Sequence, residues 1–253
     1  MTIDPRSPEY DPTALLAEVT DATAQLIGSA ERLDDQAVRE PCALPGWTRG
    51  HLLTHLARNA DGLRNLLAWA ATGDRHDMYP DRAKKDADIE AGATRTAAQL
   101  AADLRESGQR FAEDAARLTP QQWGAQVERR FGGMQPAVRI PWWRLEEVLI
   151  HHVDLDTGFS PAHWPAEFTG PALEMAAARF GDGSYPATAA TPFRLYAEET
   201  ARTVGVGCDA TDKEWLLVRG PEPALLAWLI GRSNGDGLVV EPHDALPSVP
   251  AWL

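Results

Sequence analysis

The fold reading turns on Glu147-Val148-Leu149-Ile150-His151, taken with His51-Leu52-Leu53-Thr54-His55 earlier in the chain. On a helix the spacing from Glu147 to His151 places both side chains on one face, a turn from each other. The earlier segment also has helical spacing. His55 is flanked by Leu52, Leu56 and Leu63, so it faces a helical interior. His51 shares that face but falls in the first turn, nearer the mouth. A carboxylate and two imidazoles from two packed helices can hold a divalent metal and leave a coordination position open.

Outward from these segments the chain reads as helices. Asp11-Pro12 predicts an N-cap followed by proline at the first helical position. Leu15, Leu16, Val19, Ala22, Leu26, Ile27, Ala30 and Leu33 then recur at helical spacing, predicting an amphipathic helix of about six turns. Thr48 is a good cap for a second helix, which carries His51, His55, Leu63, Leu66 and Leu67. Polar residues with Pro80 predict a loop over 73–85. A long third helix is expected over 87–118, with Ile89, Ala93, Ala97, Leu100, Leu104 and Phe111 in its buried stripe. A Gly-Gly loop at 132–133 leads to Pro141 and a fourth helix that stops at Gly158. Four amphipathic helices predict a four-helix bundle over residues 1–160, and bundle cores are where facing helices build metal sites.

The pattern changes after Phe159-Ser160-Pro161. A short helix over 171–180, strands over 193–198, 200–206, 215–218 and 238–240, and a helix over 223–230 predict a small α+β domain spanning 161–253. The fold class expected for the whole chain is therefore α+β.

Composition narrows the function. The 253 residues hold Lys+Arg 24 against Asp+Glu 37, a net charge of −13. Such a surface repels nucleic acid and anionic lipid, so neither is expected as a partner. An anionic substrate would need its own local cations. No run of eighteen apolar residues exists, which argues against a membrane span. The start, MTIDPRSPEYDP, lacks the basic and apolar regions of a signal peptide. Cys42 and Cys208 make no disulfide framework, so a reduced, cytoplasmic protein is expected.

The residues alone leave two readings of the histidines open. Glu-x-x-x-His arises often by chance, and an inward histidine is more often a hydrogen-bonded core residue than a ligand. Glu146 and His152 point elsewhere and compete for the same role. A carboxylate on an apolar-flanked face nevertheless needs a partner, because burying it unpaired is costly. A metal site and a metal-free His–Glu core pair both satisfy that need.

Four segments carry a resemblance to a known family. LPGWTRGHLLTHLARNADGLRNLL (44–67), MYPDRAKKDADIEAGA (78–93), LEEVLIHHVDLDTGF (145–159) and AWLIGRSNGDGL (227–238) occur in the order in which similar segments occur in mycothiol-dependent maleylpyruvate isomerases. These belong to the wider DinB-like metalloenzyme superfamily. The resemblance implies a DinB-like bundle followed by a smaller, sterol-carrier-like α+β domain. It implies His55, Glu147 and His151 as metal ligands, zinc as the metal, and mycothiol as a thiol cofactor. It implies that Arg232 faces the active site, and gives Arg82 as a further candidate. The family's basic residue in the second segment matches Arg82, Lys84 or Lys85. Read without the family, Arg232 follows a helix and is a capping charge.

The activity so implied is cis–trans isomerisation of maleylpyruvate to fumarylpyruvate through a zinc-bound thiolate adduct, a step in aromatic catabolism. The implied partners are a small anionic substrate and a low-molecular-weight thiol, acting on a monomer. Two rivals keep part of this picture. The same site could transfer the thiol onto an electrophile, as an S-transferase. Alternatively, the chain could be a non-catalytic metal-binding regulator, since fold alone does not give function.

Overall fold

The computed structural model describes residues 10–129, 133–181, 192–211, 214–242 and 245–249. The N-terminal segment 1–9 and Gly132 of the expected glycine loop lie outside them. The chain divides into two compact units, Met1–Phe159 and Ser160–Leu253. Eight α-helices and two small sheets occur among the described residues, an α+β protein with a helical first unit.

The first helix, α1 (Pro12–Ala30), starts as the sequence predicts: Asp11 Oδ1 accepts from the Thr13 amide at 2.9 Å, and Pro12 occupies the first turn. It ends at Ala30, short of Leu33. The second, α2 (Arg49–Thr72), is capped by Thr48 and closed by Gly73 in the left-handed region.

The expected third helix is two. Asp81 caps α3 (Arg82–Gly92), which therefore begins inside the stretch read as loop, and Thr96 caps α4 (Ala97–Ala116). The break has a steric cause. A Cβ on Gly92 would lie 2.4 Å from Thr54 Cγ2, and one on Gly50 would lie 2.6 Å from the Ala93 carbonyl oxygen. The chain thus runs hard against α2 at this point and turns away. Thr96 and Gln99 then form a reciprocal capping box that restarts the helix.

A short α5 (Pro120–Trp123) leads into two three-residue strands, β1 (Gln126–Glu128) and β2 (Met134–Pro136), paired antiparallel. The chain then enters α6 (Ile140–Asp154), which ends before Gly158 rather than at it. Helix α1 packs on α4 and α6, and α2 packs on the same two, closing a four-helix ring. Leu52, Leu56, Leu63, Leu104, Trp142 and Val148 fill its centre, fully shielded from solvent. Helix α3 lies on α2 outside this ring.

In the second unit α7 (Ala166–Gly181) starts earlier than expected, and Pro171 falls inside it. Four strands follow: β3 (Phe193–Ala197), β4 (Arg202–Val206), β5 (Leu216–Gly220) and, after α8 (Glu222–Leu229), β6 (Val239–Glu241). The sheet order is β4-β3-β5-β6, with β3 and β5 parallel and the outer pairs antiparallel. Phe193, Leu195 and Ala197 alternate inward, as period two requires. Helix α8 packs on β3 and β5, and α7 packs on α8 and β4. Among the described residues no helix is long and apolar enough to cross a membrane.

The close approach at Gly50 is testable. Backbone, not a movable side chain, meets the added methyl, so Gly50→Ala should cost about 1–3 kcal/mol, as overpacking does. Thermal melts should show the midpoint lowered by several degrees; an unchanged midpoint means the junction yields freely.

Candidate metal centre

Helix α2 supplies one side chain of the site and α6 supplies two. Because both helices belong to the same ring, His55 meets Glu147 across the core: its Nε2 lies 3.1 Å from Glu147 Oε2. One turn further along α6, His151 Nε2 lies 3.4 Å from the same oxygen. The two imidazole rings meet edge to face, with centroids 5.0 Å apart. The three side chains are 15%, 19% and 16% exposed, so the cluster is reachable from solvent.

The partners of His151 fix its protonation. Its Nδ1 lies 2.7 Å from Asp154 Oδ2, and its Nε2 faces Glu147. Carboxylates only accept, so both ring nitrogens carry protons. Burial alone would lower the His151 pKa, but the hydrogen bonds and charges of Asp154 and Glu147 raise it to about 9. Burial has the last word at His55, whose pKa falls below the usual histidine value despite Glu147. At Glu147 the opposite holds: burial favours the neutral acid, yet the hydrogen bonds from His151 and His55 hold the carboxyl well below its ordinary value.

These residues fit a divalent metal. One ligand atom from each of His55, Glu147 and His151 lies within 4.8 Å of the others. Around a tetrahedral ion with bonds of about 2.0–2.1 Å, neighbouring donor atoms are about 3.3 Å apart. The two separations from Glu147 Oε2 straddle that value. Two histidines and a carboxylate are also the donor set of zinc sites that keep a position open. Asp154 on His151 is the outer carboxylate that such histidines commonly use for orientation.

Neighbouring histidines and acids are spent elsewhere. His51 Nδ1 accepts from the Thr48 backbone amide and contacts Thr48 Oγ1 at 2.7 Å, while its Nε2 lies 3.3 Å from Glu90 Oε2. It serves the start of α2. His152 Nε2 meets Ser29 Oγ at 2.8 Å, and its ring stacks on Phe159. Glu146 faces Arg129, with Nη1 at 3.6 Å.

Among the three basic residues of the second segment, Lys85 is the half-buried one, and it pairs with its neighbour Asp86 at 3.4 Å. Its Nζ lies 4.9 Å from the Tyr79 ring centroid, and its charge adds to the lowering of the His55 pKa. Arg82 is exposed, and Lys84 pairs with Asp88 at 2.6 Å. Tyr79 needs Gly62 opposite it, where a Cβ would lie 2.7 Å from the tyrosine ring. Arg232 belongs to the second unit. Its Nη1 donates to the Ile230 carbonyl at 2.9 Å, after Gly231 turns left-handed at the end of α8.

Three further groups lie near the site. Arg144 is fully buried and donates to the Leu56 carbonyl and to Asn59 Oδ1, both at 2.9 Å. Burial lowers its pKa to about 10, against the pull of Glu147. Trp47 lies beside both histidines of α2, its ring centroid 5.5 Å from that of His55. Arg129 lies over Trp143, and its Nη2 is 3.7 Å from Glu147 Oε1.

Comparison with known proteins follows the same line. Among solved structures, a mycothiol-dependent maleylpyruvate isomerase matches with a TM-score of 0.85 at 24% identity, covering 96% of this chain and 98% of that one. A histidine-to-alanine mutant of such an enzyme matches with the same TM-score and coverage at 23% identity. At these identities the likeness is one of fold. No curated protein matches. The family described as "Mycothiol maleylpyruvate isomerase N-terminal domain" matches residues 7–156, more than half of the sequence. The chain therefore belongs to the mycothiol maleylpyruvate isomerase family.

Proposed function

We propose that the protein is a mycothiol-dependent isomerase that converts maleylpyruvate to fumarylpyruvate, with His55, Glu147 and His151 holding a divalent metal, zinc by donor preference. The observation that carries this is the convergence of two imidazole nitrogens on one oxygen of Glu147 at near-tetrahedral spacing. When bound, the metal would lower the pKa of a thiol, and the thiol would add reversibly to the substrate's double bond so that the bond can rotate.

The chain's own residues have the remaining tasks. Asp154 holds His151 in place through Nδ1. Trp47 shields His55 on one side. Lys85 offers a cation to an anionic substrate, and so takes the role for which Arg82 and Lys84 also qualified. Arg232 is proposed as a further carboxylate contact on the family resemblance. A chain of net charge −13 needs such local cations to receive a dianion.

Four measurements test this. His55→Ala should fold, lose bound metal and lose thiol-dependent isomerisation of maleylpyruvate; full activity in the metal-free variant would end the proposal. A lasting thioether in the wild-type assay, in place of an isomer with free thiol, would make the protein a transferase.

Metal binding should also displace a proton. Near pH 7, His151 is protonated, His55 neutral and Glu147 ionised. Binding should therefore displace the His151 proton near pH 7, where that nitrogen must be freed to act as a ligand. Calorimetry in buffers of different ionisation heat reads this directly, and no release near pH 7 would remove His151 from the ligand set.

Arg232→Ala should keep its metal but show a greatly reduced kcat/KM. An unchanged kcat/KM would return Arg232 to a purely capping role.

A further inference from the structure

We infer that Arg129 is a substrate-binding residue of the metal centre, which takes one carboxylate of the dianionic substrate. The inference rests on the isomerase reading above for the identity of the dianion.

Arg129 comes from outside the four-helix ring. It follows β1, which pairs with β2 ahead of α6. There its guanidinium lies over the indole of Trp143, with Cζ 5.3 Å from the ring centroid. Nη1 is 3.6 Å from Glu146 Oε2, and Nη2 is 3.7 Å from Glu147 Oε1. Both distances exceed those of a charge-assisted hydrogen bond, about 2.7–2.9 Å. The two carboxylates thus attract the cation without locking its N–H fork. The cation–π contact with Trp143 holds the group, and the in-plane edge of a guanidinium is what a carboxylate engages bidentately.

The position relative to the trio is the second point. Glu147 divides its oxygens: Oε2 faces both histidines, and Oε1 faces Arg129. A molecule seated beside the histidines is therefore one carboxylate's width from the guanidinium. The side chain is 23% exposed, so an incoming anion can reach it.

A purely structural role fits less well. Glu147 is already compensated through Oε2 by two imidazoles, and a cation placed to hold it would sit at hydrogen-bonding distance. Glu146 is nearly buried, and parks the guanidinium at the site rather than drawing it away.

The test uses the zinc-loaded full chain, as wild type, Arg129→Gln and Arg129→Lys. We expect Arg129→Gln to keep its melting temperature and zinc content. Its KM for maleylpyruvate should rise roughly 10–100-fold, the weight of a hydrogen bond to a charged group, with kcat changed much less. Succinate, a dicarboxylate that cannot isomerise, should bind the wild type by calorimetry and bind Arg129→Gln more weakly. Arg129→Lys should recover part of the loss, since it keeps the charge but not the fork. Unchanged KM and succinate binding in Arg129→Gln overturn the inference, as does no succinate binding by the wild type. Loss of zinc, or a fall in kcat at unchanged KM, assigns Arg129 to holding Glu147 and overturns it too. If the wild type binds succinate in an Arg129-dependent way but does not isomerise maleylpyruvate, the isomerase reading fails while the anion site stands.

Discussion

A carboxylate enclosed between helices is the constraint on which the first unit depends. Removing one partner of a fully buried ion pair costs about 3–5 kcal/mol, and less where, as at Glu147, the carboxylate keeps 19% of its surface exposed. Glu147 meets this condition with two imidazoles on one oxygen. His55 can contribute only if α2 lies beside α6, so the charge and the helix order specify each other. The His151 proton, held between Asp154 and Glu147, is part of the same balance. Without metal the cluster is a neutralised core; with metal, on the proposed reading, the ion takes the place of that proton. The two readings of the histidines left open by the sequence are then two states of one site.

Behind the trio the bundle carries a further charge. Arg144 sits one turn before Glu147 on α6 and is fully buried, held by the Leu56 carbonyl and Asn59. Asn59 is one turn after His55 on α2, so this layer repeats the pairing of the same two helices. A positive group below an acidic ligand favours its ionised form, which is the form a metal requires. The arrangement also explains Gly62 in the middle of α2. Glycine there costs about 1 kcal/mol in helix propensity, and what it admits is the Tyr79 ring that carries Lys85.

What the sequence discloses follows from range. Glu147, His151 and His55 are legible because helical phase is local and their flanking leucines mark the inner face. The strands of the second unit are legible because Phe193, Leu195 and Ala197 alternate. The break between α3 and α4 is hidden, since Ala93 and Ala97 stay in phase with the stripe on either side. Its cause, the approach of Gly50 and Gly92 to their neighbours, is a contact between distant segments. Two local signals were nevertheless available: Thr96 with Gln99 three residues on, and Asp81 before Arg82. The second of these would have put Lys85 on the face of Ile89, and so towards α2. Arg129 has no such signal. Three-residue strands are too short for a period to show, and its seat on Trp143 is a contact with a separate helix.

This difference in legibility matches a difference in task. The ring helices α2 and α6 hold the trio, Asp154, Arg144 and Trp143, all positioned by a packed core in which small shifts are expensive. Lys85 and Arg129 come from α3 and from the segment after β1, which lie outside the ring. Connections can change their side chains without disturbing the core that orients the ligands. On the proposed reading, the bundle fixes the metal and the connections choose the anion. A relative could therefore keep His55, Glu147 and His151 in place and still act on a different electrophile. By this logic the trio speaks for metal chemistry, and the substrate must be argued from Lys85 and Arg129.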